Sequence, residues 1–256
     1  MEKDWLLTET RDGIVTITFN RPEARNAMTG AIRKALCDQI LVLDQDDSVR
    51  ALVFKGAGGN FVAGGDLKGF AETLHLESAE RQGNFVTRVN EATTFITTLA
   101  NFSKPVISVI DGDVAGAGIS IALASDFVVA GENARFTFAH AHVGLALDLG
   151  LSYFLPRIVG TLEAKRLTML GAQIKAEEAK ALGLITSLVE DTEAALEKLL
   201  AQIGKMSVPA MAAIKAEINA SSRNNLNTQL GLEARMVGEC AATDEFKNRV
   251  AAFVKG

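Results

Sequence analysis

Two short glycine-rich turns, each set between an apolar strand and an apolar helix, constrain this chain more than any other feature. The first is Phe61-Val62-Ala63-Gly64-Gly65-Asp66-Leu67, and the second is Asp111-Gly112-Asp113-Val114-Ala115-Gly116-Ala117-Gly118-Ile119-Ser120. A strand that turns sharply into a helix leaves backbone N–H groups free at the helix start, where the helix dipole favours negative charge. Two such donors aimed at one point hold an oxyanion. Neither turn reads as a nucleotide loop. No Lys-Ser or Lys-Thr follows Gly64-Gly65, so the P-loop pattern fails, and Ile121 stands where the dinucleotide fingerprint around Gly116-Ala117-Gly118 needs glycine or alanine. Taken singly, each turn is equally compatible with tight strand-to-helix packing and no ligand.

The flanking segments predict α/β layering. Residues 5–9 and 13–19 read as strands around a turn at Asp12-Gly13. Residues 29–43 have helical spacing, with Ile32, Leu36, Ile40 and Leu43 on one face and Thr29 as the cap. Further strands are expected at 50–54, 105–110, 126–130 and 134–139, and helices at 82–99 and 117–124. From about Ser152 the pattern turns helical, with helices expected at 157–170, 176–182, 193–206, 209–220, 226–240 and 243–254. Parallel strands buried on both faces in an α/β core over residues 1–195, followed by a helical region over 196–256, are the simplest account. No fixed repeat period is visible.

Composition excludes several classes. A hydrophobic content of 48% over 256 residues rules out a disordered chain. A net charge of -5 without a basic run argues against nucleic-acid binding. Cys37 and Cys240 lie far apart and form no CxxC, which fits a reducing compartment. The opening Met1-Glu2-Lys3-Asp4-Trp5 lacks the order of a signal peptide, and the apolar runs are too short for a bilayer. A cytoplasmic protein without membrane attachment is expected.

Read together, the segments resemble the crotonase (enoyl-CoA hydratase/isomerase) superfamily. The matching landmarks are Asn20-Arg21-Pro22-Glu23-Ala24-Arg25-Asn26-Ala27-Met28, Phe61 to Leu67, Lys104-Pro105-Val106-Ile107 and Gly112 to Asp126. Val143-Gly144-Leu145, Phe154-Leu155-Pro156-Arg157-Ile158-Val159-Gly160, Ala176-Glu177-Glu178-Ala179, Gly183-Leu184-Ile185 and Ala251-Ala252-Phe253 follow in the same order. The resemblance implies a spiral of ββα units with a C-terminal helical trimerisation region, a homotrimer or dimer of trimers, and an acyl-CoA thioester as ligand. No separate cofactor is implied, because coenzyme A is part of the substrate. Carried over by position, the oxyanion donors are the amides of Gly65 and Ala117. Alanine at the second place keeps the amide where the family more often has glycine. The coenzyme end is expected against Arg25, Ala27, Ala63, Asp66, Leu67 and Lys68. Arg25 and Lys68 are candidate phosphate partners, with solvated surface charge the equal alternative. The family's tail often continues past the last helix with basic residues; here the sequence reaches Val254-Lys255-Gly256, which puts any tail contact in doubt.

The catalytic positions depart from the hydratase pattern. Family hydratases use two glutamates, since water must be activated and a proton delivered at carbon. The matching positions here are Ser120 and His140. Asp148, in Gly144-Leu145-Ala146-Leu147-Asp148-Leu149-Gly150-Leu151, matches an aspartate that family isomerases use to move a proton along the acyl chain. Its apolar neighbours predict poor solvation and a raised pKa, as suits a proton shuttle; a helix cap or surface turn is the plainer alternative. The position also matches the nucleophile of aroyl-CoA dehalogenases, but these need a mid-chain histidine, and none stands between His75 and His140. His140 and His142 alternate in what reads as an extended segment sharing one face. With His75 they make a weak case for a metal, and none is expected. His140 is expected to line the pocket as a catalytic residue that positions the substrate or assists Asp148, Ser120 to fill space, and the stretch from Phe70 to Asn90 to shape the acyl pocket. The leading expectation is enoyl-CoA isomerisation by an Asp148 shuttle. The alternatives are an enoyl-CoA hydratase with atypical acid/base residues and a non-catalytic acyl-CoA binder.

Overall fold

The computed structural model describes residues 5–255, so the first four residues, on which the leader argument rests, lie outside it. The strands are β1 (Leu6–Arg11), β2 (Ile14–Phe19), β3 (Ala51–Gly56), β4 (Asn60–Ala63), β5 (Val106–Ile110), β6 (Asp113–Ala115), β7 (Phe127–Gly131), β8 (Arg135–Thr137), β9 (Gln173–Lys175) and β10 (Ser187–Val189). The helices are α1 (Gly30–Asp44), α2 (Leu67–Ala71), α3 (Ser78–Ala100), α4 (Ala117–Ala124), α5 (Leu151–Val159), α6 (Thr161–Met169), α7 (Ala176–Ala181), α8 (Thr192–Ile203), α9 (Val208–Ser221), α10 (Leu226–Ala241) and α11 (Asp244–Lys255).

The strands form two sheets, ordered β1-β2-β3-β5-β7-β10 and β4-β6-β8-β9. Their connectivity is a spiral. In three successive ββα units, β3–β4, β5–β6 and β7–β8, the first strand enters the larger sheet and the second enters the smaller one. Within each sheet these strands run parallel to one another, and β9 closes the smaller sheet antiparallel to β8. The repeat is invisible as a sequence period because the first unit carries the 23-residue α3 whereas the second turns after the 8-residue α4.

Alternation along β3 and β5 explains why the larger sheet sits between two layers. Leu52, Phe54, Val106 and Ile110 face the main core, where α1 supplies Ile32, Leu36 and Ile40 and α3 supplies Phe95, Ile96 and Leu99. Ala51, Val53, Ile107 and Val109 face the other way and meet Leu196 and Ile203 of α8. The expected β1–β2 hairpin turns on Asp12 (φ 52°) and Gly13 (φ 77°), the left-handed pair of a two-residue turn. Thr29 caps α1 by accepting from Ile32 N–H.

Three expectations need correction. The helix expected over 157–170 is two helices, α5 and α6, broken at Gly160, whose φ of 79° and ψ of 162° are open essentially to glycine alone. Each glycine turn begins with its own short strand, β4 or β6, and these build the second sheet. His140 and His142 do not lie in an extended segment, because a 3₁₀ turn spans Ala141–Val143.

Candidate active site

The smaller sheet brings the two glycine turns together. In the parallel pairing of β4, β6 and β8, Ala63 stands beside Ala115 and Ala115 beside Thr137. Gly65 and Ala117 are therefore equivalent positions, each two residues beyond its strand's last paired residue. His140 lies three beyond Thr137. Three successive repeats thus deliver their strand ends to one place. The approach depends on glycine at Gly64 (φ 103°) and Gly116 (φ 46°). A Cβ at Gly116 would lie 3.4 Å from Gly64 Cα and 4.0 Å from His140 Cε1.

The segment Arg21–Met28 braces the first turn. Met28 N–H donates to Gly64 O, Asp66 N–H to Met28 O, and Ala63 N–H to Arg25 O. Asn26, 1% exposed, accepts from Arg21 N–H and donates to the carbonyls of Ala57 and Asn60. Asp66 caps α2 by accepting from Lys68 N–H. Among the described residues, the N–H groups of Gly65 and Ala117 have no hydrogen-bond acceptor, and Ala117 opens α4, where helix amides are unpaired.

A cavity of about 510 Å³ opens on these amides. Gly65, Ala117, His140 and Asp148 all line it, together with Ala63 and Leu67. Phe70, Phe85, Val86 and Val89 supply much of its apolar wall, as expected for the stretch from Phe70 to Asn90. Of the residues expected against coenzyme A, Arg25, Ala27, Asp66 and Lys68 are not in the cavity wall. Arg25 instead reaches Asp113, 3.7 Å away, with its side chain largely exposed.

His140 Nε2 lies 3.2 Å from Asp148 Oδ1. Nδ1 of the same ring is buried without a partner, so a proton on Nε2 donating to the carboxylate fits best. The desolvation expected of Asp148 is not what the fold delivers. Its side chain is 37% exposed and turned to the cavity, because Leu145 and Ala146 lie at the surface rather than over it. Nor does Asp148 cap α5, whose cap is Gly150. Ser120 is fully buried outside the cavity wall. His142 turns away from His140 and bonds Gly171 O at 2.9 Å, so the two do not share a face. Among the described residues, no group of three or more His, Cys, Asp and Glu is placed to hold a metal. No described helix is long and apolar enough to cross a membrane.

Arg33 escaped the sequence reading, whereas Arg88 falls within the 70–90 stretch expected to shape the acyl pocket. Arg33 of α1 is 8% exposed and lines the cavity, as does Arg88 of α3. Burial, and then the Arg88 charge, hold the Arg33 guanidinium below its ordinary pKa, while Asp148 and Glu91 pull the other way. The available signal was helical spacing. Arg33 falls on the same stripe as the buried Leu36, Cys37 and Ile40, a place where a charge is costly.

Known proteins match this chain over almost all of its length. The family described as Enoyl-CoA hydratase/isomerase matches residues 9–255. The 1,2-epoxyphenylacetyl-CoA isomerase of Escherichia coli K12 is 34% identical over 98% of this chain and 95% of its own. The short-chain-enoyl-CoA hydratase of Clostridium acetobutylicum is 30% identical over 100% of this chain and 96% of its own. The crystal structure of an enoyl-CoA hydratase/isomerase from Marinobacter aquaeolei superposes with a TM-score of 0.91 at 29% identity, covering 98% of this chain and 96% of that one. The ββα spiral, the paired glycine turns and these likenesses agree: the chain has the crotonase fold and belongs to the enoyl-CoA hydratase/isomerase family.

Proposed function

We propose that the chain moves the double bond of an enoyl-CoA thioester, with Asp148 carrying the proton. One observation supports this reading above the others: Asp148 is the only carboxylate in the described wall of the cavity onto which Gly65 and Ala117 open. Isomerisation needs a single group that takes a proton from one carbon and returns it to another. The thioester oxygen accepts from the amides of Gly65 and Ala117. Asp148 removes a proton from the acyl chain, the electron pair moves toward the thioester oxygen as a dienolate, and Asp148 returns the proton at the far carbon. His140 donates to Asp148 and orients it. Coenzyme A enters as part of the substrate, so this scheme uses no separate cofactor.

Asp148→Asn is expected to lower turnover of 3-enoyl-CoA substrates by about 10²–10⁴-fold while leaving the fold intact. Near wild-type turnover would defeat the assignment. The 3.2 Å contact between His140 and Asp148 favours a second reading, in which the pair hydrates a 2-enoyl-CoA. Heavy-oxygen water separates the two, because only hydration leaves label on carbon.

A further inference from the structure

Arg33 is the most heavily buried charge in the cavity wall and has no visible reason to be there. The residue is only 8% exposed, and its Nε is sealed from solvent without an acceptor. No hydrogen bond or ion pair joins the Arg33 side chain to any described residue. Proteins seldom leave a buried cation unpaired, because its desolvation costs several kcal/mol. An arginine does not escape by losing its proton.

The cavity's charges point to what is missing. Arg33 and Arg88 line it against one carboxylate, Asp148, which already accepts from His140. One positive charge is therefore left over inside a largely apolar chamber. Arg88 is held in place by stacking on the Phe70 ring, 4.7 Å from its centroid. The tip of that ring lies 3.0 Å from where a Cβ on Gly65 would stand. The Phe70 ring therefore stands between Gly65 and Arg88, so Arg88 faces the cavity beyond the ring that packs on the proposed carbonyl site.

We propose that Arg33 and Arg88 form a subsite for a carboxylate borne by the acyl chain, so that the preferred thioesters are half-esters of dicarboxylic acids. This rests on the acyl-CoA reading and narrows it. The planar guanidinium takes a carboxylate in a two-point bond, and the largely apolar wall around the buried Arg33 strengthens that pairing.

Saturated thioesters test the subsite without any chemistry. Binding of succinyl-, glutaryl-, adipoyl- and suberoyl-CoA is measured by titration calorimetry against butyryl-, valeryl-, hexanoyl- and octanoyl-CoA. At one or more lengths the carboxylated ligand is expected to bind about tenfold tighter or better. Arg33→Met should erase that preference, Arg33→Lys should keep part of it, and a melting curve checks the fold of each. If Arg33→Met does not fold, Arg88→Gln, at a half-exposed position, should reduce the same preference. No preference at any length, or a preference intact in every folded variant, overturns the subsite while leaving the acyl-CoA reading standing. Failure of all eight thioesters to bind overturns both.

Discussion

Asn26 shows how one side chain fixes a loop that the backbone alone would not hold. Arg25 and Asn26 both take left-handed φ values, 48° and 58°, a strained sequence for two residues with side chains. The Asn26 carboxamide offsets that strain with three bonds, to Arg21 N–H and to the carbonyls of Ala57 and Asn60. The loop so fixed presents Met28 to Gly64 and Asp66, and hence sets the attitude of the Gly65 amide. Asn26→Ala leaves buried backbone groups unpaired and is expected to cost about 2–4 kcal/mol in urea denaturation, with a fall in activity beyond that caused by unfolding. The motif was legible in the sequence as a family landmark. Its bonding was not, because Ala57 and Asn60 lie over 30 residues away. Arg33 was illegible for a related reason: helical spacing shows that a residue faces inward but not whether the interior there is filled or hollow.

At the scale of elements, the separation of α4 from β4 decides whether the two glycine turns converge. Gly118 touches the neighbouring strand so closely that a Cβ would lie 2.1 Å from Val62 O. That obstacle is backbone and cannot swing aside, so Gly118→Ala must push α4 away and carry the Ala117 amide with it. The expected result is a loss of about 3 kcal/mol or more of stability, read by chemical denaturation. Whatever folded protein remains should also be less active, because the Ala117 amide proposed to hold the thioester oxygen has moved. The sequence shows the strands and helices around this contact well, since hydrophobic period and capping are local. Short strands such as β4, β6, β9 and β10, of three or four residues, carry too little pattern to be read. They exist because neighbours complete their hydrogen bonds.

At the scale of the molecule, α9 and α10 bury none of their residues within the protomer. Ile214, Ile218, Leu230 and Val237 are exposed on them, and Phe246 and Val250 on α11. Together with the family resemblance, this exposed apolar surface supports the homotrimer, or dimer of trimers, as part of the proposed reading. Light scattering on the eluting protein is expected to give three or six protomers, and Ile218→Asp should shift it toward smaller species; a monomeric wild type would refute the assembly. The sequence by itself determined the longer elements, the α/β layering and the two glycine turns, because these follow from local periodicity, turn chemistry and residue type; the candidacy of Gly65, Ala117, His140 and Asp148 came from the family resemblance carried by those landmarks. Only the tertiary structure decided that three repeat ends meet at one cavity, that His140 reaches Asp148 while His142 turns away, and that Arg33 stands unpaired inside. Those facts depend on strand register and helix packing between residues distant along the chain, which no local pattern encodes.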